Sequence, residues 1–434
     1  MLVALPLLAL GLLQPAAGQH PAPATASGGA SLGIDLSAAL KIPGSLQSRI
    51  RFEHLSSADG ISNDSVFSIL QDRRGFMWFG TQAGLNRYDG YRITQYRHDA
   101  KNPSSLGDDF VQTLFEDSQG NIWSGRLFLS RFDRKTETFT RYEPPGRSAI
   151  WAITEDRRGY LWLANSGECP LYRFDPSAAK FSCYDIGKDM SQETLNRVEG
   201  MYQDTAGILW LGTPYGVVRF DTATGSSIRY RPNLPNPGAS EGGIDRIVGI
   251  APGQSGGLWL ATMERGLTLF DTATHAFTQA WHMGPRAEAL VSTDFTIPAD
   301  PSGTIWLGTL DGLRVFNPRG GPMGSLRNDP ADRYSLSGND VLSIGSDREG
   351  DLWVGVKGGG VNRFSLPGNT FGAWRHDPGD PASLSDNNVR AIYGDRSGGV
   401  WIGASGRTAH GVGECRDCAG RRPDCHLRPR HFKS

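Results

Sequence analysis

The sequence predicts an all-β fold: a seven-bladed β-propeller of four-stranded antiparallel blades, with an eighth partial repeat and a disordered tail. Three observations predict it. A phrase of Asp, two variable residues, Gly, one variable residue, an apolar residue and Trp recurs, its tryptophans spaced 39 to 49 residues apart at Trp78, Trp123, Trp162, Trp210, Trp259, Trp306, Trp353 and Trp401. Self-similarity at that period marks propellers and solenoids. Gly makes up 56 of 434 residues, roughly twice the usual share of about 7%, so turns are frequent. Each copy also divides into short apolar or alternating runs bounded by turn residues, the pattern of strands.

In the first copy Ser65–Gln71 is an apolar run suited to a buried strand. Asp72-Arg73-Arg74-Gly75 follows as a tight turn, in which Asp accepts backbone N–H bonds and Gly supplies a positive φ. Met77–Thr81 reads as the second strand, Leu85–Asp89 as the third and Arg92–Tyr96 as the fourth. Four antiparallel strands in one period make one blade. The later copies keep this grammar, each second strand leading to an Arg-Phe-Asp-like third strand such as Arg131-Phe132-Asp133 or Arg219-Phe220-Asp221. The fifth copy puts Gly253 where Asp is expected.

A blade cannot bury its own faces, so a large flat side chain on the second strand should fill the wedge to its neighbour. Burying 150–250 Å² per indole contributes roughly 4–6 kcal/mol at about 25 cal/mol/Å². The Gly or Ala two residues later (Gly80, Gly125, Ala164, Gly212, Ala261, Gly308, Gly355, Gly403) should allow close approach near the axis.

The links between blades recur too: Arg97-His98-Asp99 with Pro103-Ser104-Ser105-Leu106 returns at Arg327–Leu336 and at Arg375–Val389. With turn, Trp and link phrases all in agreement, residues 50 to 403 resemble the two-component regulator propeller repeats. The resemblance implies the extracytoplasmic sensor part of a bacterial hybrid histidine kinase or related protein, with a glycan fragment as ligand. It also implies further repeats, a small β-sandwich, a membrane helix and a signalling module downstream.

Arg51–Leu55 parallels Trp374–Asp377 as an outer strand ahead of a link. The ring is therefore expected over residues 50–368, with Arg51–Leu55 closing the last blade beside Val361–Phe364; one eight-bladed ring is the rival count. Residues 369–403 would begin a second propeller, and no third strand is expected after Gly403. The abrupt compositional change over 404–434 is expected to be a disordered tail, arising from a frame shift or truncation that removes any membrane or kinase module.

Residues 1–18 carry an apolar run and a small-residue zone like a secretory signal, and 19–49 read as a flexible linker. Periplasmic or secreted localisation follows as the expectation. A net charge of −1 gives no electrostatic case for nucleic acid, and no segment reaches membrane-spanning length.

Several motifs are weighed and set aside. Gly253-Gln254-Ser255-Gly256-Gly257 mimics a nucleophile elbow but falls on a blade turn. Cys415, Cys418, Cys425 and His426 suggest a zinc knuckle with no core to hold it. The Asp-x-x-Gly turns lack calcium-loop spacing, and the third-strand Arg and Asp read as blade-to-blade pairing. No catalytic residue, metal or cofactor is assigned. Cys169 and Cys183 are the disulfide candidates, fourteen apart across one hairpin.

Binding is expected where the blade links and the second-to-third-strand loops meet, opposite the Asp-x-x-Gly turns. The candidate ligand residues are Gln82, Arg126, Asn165, Glu168, Tyr215, Glu264, Arg265, Asp311 and Lys357, with Phe128 beside them. The expected partner is a small molecule or oligosaccharide, and a homodimer is an option for the full-length protein. The alternatives are a streptogramin-lyase-like enzyme and a protein-interaction platform.

Overall fold

The computed structural model describes residues 50–404 and 410–412, apart from Arg147, residues 187–196, 233–245, 254–255, 264–265, 282–303, Pro318, residues 366–385, Asn387 and residues 395–399. Every sheet is antiparallel. Blade 1 comprises Val66–Gln71, Met77–Thr81, Gly84–Tyr88 and Ile93–Tyr96, and blade 2 comprises Thr113–Glu116, Ile122–Gly125, Leu129–Asp133 and Thr138–Tyr142. Blade 3 is Ile150–Glu155, Leu161–Asn165, Leu171–Asp175 and Lys180–Tyr184, and blade 4 is Gly200–Gln203, Ile208–Thr213, Gly216–Asp221 and Ser227–Tyr230. Blade 5 holds Ile247–Pro252, Leu258–Thr262, Gly266–Phe270 and Phe277–Trp281. Blade 6 shows Ile305–Thr309, Gly312–Phe316 and Pro322–Leu326 among the described residues.

Blade 7 is built from both ends of the ring. Val341–Ser346, Asp351–Val356 and Gly360–Ser365 are joined by the N-terminal strand Glu53–Leu55. Its register is Glu53 opposite Arg363, His54 opposite Asn362 and Leu55 opposite Val361. The chain closes as a seven-bladed ring.

An eighth sheet of Val389–Gly394, Val400–Ala404 and His410–Val412 follows. The last strand corrects the expectation that none follows Gly403, since Trp401 lies opposite Gly411 and Ile402 opposite His410. The sequence lacks the usual Gly-Leu-x-Arg-Phe phrase there, but three residues with free backbone groups are enough to extend a ladder. The expected signal and linker, and the second-propeller start and tail apart from Asp386, Asn388 and the eighth sheet's strands, lie outside the described residues.

The core tryptophans explain why the ring holds. Seven of them, Trp78 to Trp353, are at most 3% exposed; the Trp401 side chain lies outside the described residues. Five of these indoles make a ring contact across a seam with the third strand of the next blade. Trp78 meets Phe132 at 5.1 Å between centroids, Trp123 meets Phe174 at 5.9 Å, Trp162 meets Phe220 at 5.3 Å and Trp210 meets Phe270 at 5.7 Å. At the closing seam Trp353 meets Tyr88 at 6.3 Å. The buried apolar residues sort into seven clusters, each spanning one blade-to-blade seam. The cohesion of the fold is therefore between sheets rather than within them.

The small residue after each Trp does what its size predicts. A Cβ added at Gly80 would lie 2.8 Å from the Val111 carbonyl, and at Gly355 it would lie 2.6 Å from that of Val66, both on the neighbouring blade. Backbone atoms cannot yield that space, so Gly is required at these two seams.

The Asp that opens each phrase has a further task that the repeat alone did not reveal. In blade 1 Oδ1 of Asp72 accepts the Arg74 and Phe76 N–H groups, which shapes the turn, while Oδ2 accepts the indole N–H of Trp78 at 2.9 Å. The same bond joins Trp123 to Asp117, Trp162 to Asp156, Trp210 to Asp204 and Trp353 to Asp347, at 2.8–2.9 Å. A buried indole N–H needs an acceptor, and a spacing of six residues brings one to it across the hairpin. In the fifth copy the Gly253 N–H donates to the Gly257 carbonyl at 2.7 Å, the same backbone bond that Asp72 makes to Phe76 at 2.9 Å.

These turns are laced into a rim. Arg73 donates to the Asp117 carbonyl at 2.6 Å, Ser118 N–H to Glu155 at 2.6 Å and Arg348 to the Asp72 carbonyl at 2.7 Å. Burial pushes the Asp72 carboxyl up, but the Trp78 bond and the Arg134 ion pair at 2.6 Å outweigh it and hold it below the usual carboxylate value. Burial pushes the Asp347 carboxyl up and prevails, despite its Trp353 bond. The two act oppositely with pH. The Asp72 contribution is present above the ordinary carboxylate pKa and is lost as pH falls through its lowered value. The Asp347 contribution is present below the ordinary value and is lost as pH rises through its raised one. Arg134→Met is expected to move the acid-unfolding midpoint to higher pH, read by circular dichroism across a pH series; an unchanged midpoint would count against the pairing.

The third-strand phrase needs a correction. Arg87 does reach across a seam, to Glu137 at 2.8 Å. The following Asp does not pair between blades. Asp133, Asp175, Asp221 and Asp271 accept the N–H groups two and three residues on, closing the hairpin to the fourth strand. Short Asp side chains favour such local bonds over distant partners.

Candidate ring-mouth site

On the rim opposite the Asp turns, the inner strand begins with an irregularity in blades 1, 3, 5 and 7. The ladder slips by one residue between Val66 and Ser68, Ile150 and Ala152, Ile247 and Gly249, and Val341 and Ser343. The extra residues are Phe67, Trp151, Val248 and Leu342, each eleven positions before its core Trp. In blades 2 and 4 the same position holds Gln112 and Glu199, whose N–H groups donate to Gly125 and Gly212 at 3.0 Å, just ahead of the strand proper. A bulge lifts a residue out of the in–out alternation and re-aims its side chain. In the six blades where this position is described no two residues are alike: Phe67 and Trp151 stay half-buried there, whereas Val248 packs into the seam between blades 5 and 6.

The mouth is aromatic and cationic on the side of blades 1 to 3. Phe67 packs on Phe110 with centroids 4.5 Å apart. The Arg126 guanidinium carbon lies 4.5 Å from the Phe110 centroid and 5.5 Å from that of Trp151. A shallow hollow beside it is lined by Asp108, Phe110, Ser124, Arg126, Phe128 and Ser130. Burial pulls the Arg126 pKa down, and the Asp108 charge only partly offsets this. In blade 4 Glu199, 1% exposed, is held by Arg197 at 2.8 Å and by Arg246 at 2.5 and 2.6 Å. Among the described residues no cluster of three or more His, Cys, Asp or Glu could hold a metal ion.

Residues 60–83, 105–125 and 383–406 match the family model described as two component regulator propeller. Each matched segment runs from the end of a blade link through the inner strand and Asp turn to the core Trp. These three segments are similar to two-component regulator propeller repeats. The chain is 38% identical over 55 residues to Histidine kinase P4 of Formosa agariphila, a match covering 13% of this chain and 4% of that one. Its fold is similar to the extracellular domain assigned to a hybrid two component system of B. thetaiotaomicron, with a TM-score of 0.61 and 24% identity over 83% of this chain and 48% of that one. A second B. thetaiotaomicron extracellular domain gives a TM-score of 0.59 at 17% identity, covering 83% and 52%. The chain thus spans about half the length of these extracellular domains. A streptogramin B lyase shares the fold at a TM-score of 0.55 and 18% identity, covering 73% of this chain and 96% of that one.

The residues singled out from the sequence fall into three groups. Arg126 and Asn165 come together, flanking Ile150 and Trp151: the Arg126 carbonyl accepts the Ile150 N–H at 2.8 Å, and Ile150 lies opposite Asn165. Others are engaged with their own turns or are peripheral. Asp311 pairs with Arg314 at 3.2 Å and with Arg327, and exposed Lys357 pairs with Asp340 at 3.4 Å. Gln82 and Glu168 are exposed, and Tyr215 is half-buried with its N–H on the Thr213 hydroxyl. Glu264 and Arg265 lie outside the described residues.

Phe67, Phe110, Gln112, Trp151, Glu199, Arg197 and Arg246 were missed from the sequence. For Phe67, Gln112, Trp151 and Glu199 the signal was a fixed offset of eleven residues before the core Trp, at which residue type varies from copy to copy; Phe110, Arg197 and Arg246 lie two residues further from theirs. Cys169 and Cys183 are bonded, with Cα atoms 5.8 Å apart. The bond ties the loop after Asn165 to the outermost strand of blade 3.

Proposed function

We propose that this chain is the extracytoplasmic ligand-sensing propeller of a two-component signal-transduction protein, and that its ligand is an oligosaccharide bound at the ring mouth. One observation carries the reading. The Asp-turn rim repeats nearly the same residues, whereas the opposite rim carries a different residue, eleven positions before the core Trp, in each of the six blades where that position is described. A scaffold that varies at one rim alone is organised for recognition there. Half-buried aromatic faces beside hydrogen-bonding groups suit sugar rings, which present apolar C–H faces and polar edges. The regulator propeller repeats and the extracellular two-component domains of similar fold support the signalling role and the extracytoplasmic location. Binding without turnover is the reading of choice, since the mouth residues described are donors and aromatics rather than a clustered acid–base set.

The test is a thermal-shift screen of the full chain against neutral and acidic oligosaccharides. A true ligand at one hundred times its Kd should add about 2.7 kcal/mol of stability, visible as a rise in Tm. No shift with any oligosaccharide, or metal-dependent lyase turnover of a cyclic peptide substrate, would replace this reading with another.

A further inference from the structure

Three positions after the core Trp, the scaffold prefers Thr, as at Thr81, Thr213, Thr262 and Thr309. Each hydroxyl donates to the carbonyl of the Gly that opens the third strand, at 2.8 Å in blades 1, 4 and 6 and 3.2 Å in blade 5. In blades 1, 4 and 6 it also accepts the N–H two residues on. The hydroxyl is fully used by the turn.

Blades 2, 3 and 7 depart from this rule, with Arg126, Asn165 and Val356, and the two polar departures, Arg126 and Asn165, lie in adjacent blades. Their backbones still serve the ring. The Arg126 carbonyl accepts Ile150 N–H at 2.8 Å and the Asn165 carbonyl accepts Val198 N–H at 2.9 Å, as Thr81 does for Val111 at 2.9 Å. Only the side chain has changed, so the substitution is not needed to hold the seam.

These side chains keep unused donors. The Arg126 Nη1 meets Gln112 Oε1 at 3.5 Å, the outer limit of a hydrogen bond, and no carboxylate lies within ion-pair distance of it among the described residues. Asn165 is wholly buried; its Oδ1 accepts Ser166 N–H at 2.7 Å while its Nδ2 has no partner among the described residues. Trp151, the extra residue between them, has a buried indole N–H that is likewise without a partner. A buried donor left unmade costs about 1–3 kcal/mol, so three side chains on one stretch of rim form a set awaiting acceptors. One of them is cationic and stacked on Phe110, which leaves the edge of its fork for a planar anion.

We propose that Arg126, Trp151 and Asn165 form a subsite for a carboxylate-bearing sugar of the uronate class. Arg126 takes the carboxylate, the indole and amide N–H groups donate to sugar oxygens, and the Phe110 and Trp151 rings border the ring carbons. Arg197 and Arg246, two cations around one Glu199 carboxylate, keep the adjoining rim positive. The proposal rests on the mouth being the ligand site and narrows what binds there.

The test is titration calorimetry of the full chain with trimers of galacturonate, glucuronate and mannuronate, alongside neutral hexose trimers. Uronate binding is expected without neutral binding, weakening as salt is raised. Arg126→Met should weaken it about tenfold or more, Arg126→Lys should restore only part of the loss, and Trp151→Phe should weaken it severalfold while leaving the thermal melt of the free protein unchanged. Neutral trimers binding as well as uronates, or uronate affinity indifferent to Arg126→Met and Trp151→Phe, would overturn the subsite and spare the mouth. Binding of neither class would overturn both.

Discussion

Trp162→Ala is expected to destabilise the protein by about 3–5 kcal/mol, the range for deleting a fully buried indole. Trp162 has no exposed surface, its ring meets Tyr184 at 5.0 Å in its own blade and Phe220 at 5.3 Å in the next, and its N–H bonds Asp156 at 2.9 Å. Removal empties the wedge and also leaves the 9%-exposed Asp156 with an unmet acceptor. Trp162→Phe separates the two causes. It retains most of the packing but still loses the charge-assisted bond, so a smaller loss of about 1.5–3 kcal/mol should remain. Urea unfolding followed by circular dichroism reads both. If the phenylalanine variant equals wild type, the Asp–Trp bond carries no stability and the second role assigned to the motif's Asp is wrong.

Deleting every residue up to Leu55 is expected to produce the second large effect, by opening the ring. Phe52 and Ile50, 3% and 5% exposed, would leave the seam between blades 6 and 7, at about 1.5–3 kcal/mol each. Lost with them are the ladder to Gly360–Ser365, the Phe52 N–H bond to the Tyr334 carbonyl at 2.8 Å and the Arg51 guanidinium over the Tyr334 ring at 3.5 Å. The total should exceed about 5 kcal/mol. The exposed edge of Gly360–Ser365 would also seek a strand from another molecule. A lowered Tm together with dimers or larger species in light scattering is the expected outcome. A monomer as stable as the intact chain would mean that ring closure contributes nothing.

Much of this architecture was legible in the chain because a repeat states its own boundaries. The Asp-to-Trp phrase located the described turns and second strands, and the parallel between Arg51–Leu55 and Trp374–Asp377 pointed to closure through blade 7, where Glu53, His54 and Leu55 now face Arg363, Asn362 and Val361. The Asp after each third-strand Phe was misassigned because a carboxylate beside an Arg reads as an ion pair. In the folded hairpin its nearest donors are the N–H groups of its own turn, which need no reach across a seam. His410–Val412 was missed for a related reason: strand pairing uses backbone groups that no side-chain pattern announces.

Of the ring mouth, the sequence disclosed the rim but little of its membership. Loop position alone selected Arg126 and Asn165, and equally selected Asp311 and Lys357, whose charges are paired within their own blade. Hydrophobic period, turn chemistry and repeat length are local properties, so the chain alone disclosed the blade repeats, their order and the residues that weld them and favoured seven blades over eight, while the pairing of Glu53–Leu55 with the last blade fixed the count. Which groups stand together at the mouth depended on one-residue slips in the inner ladders and on seams joining residues far apart in the chain. Those are three-dimensional facts, settled by where neighbouring sheets press together, and only the tertiary structure decided them.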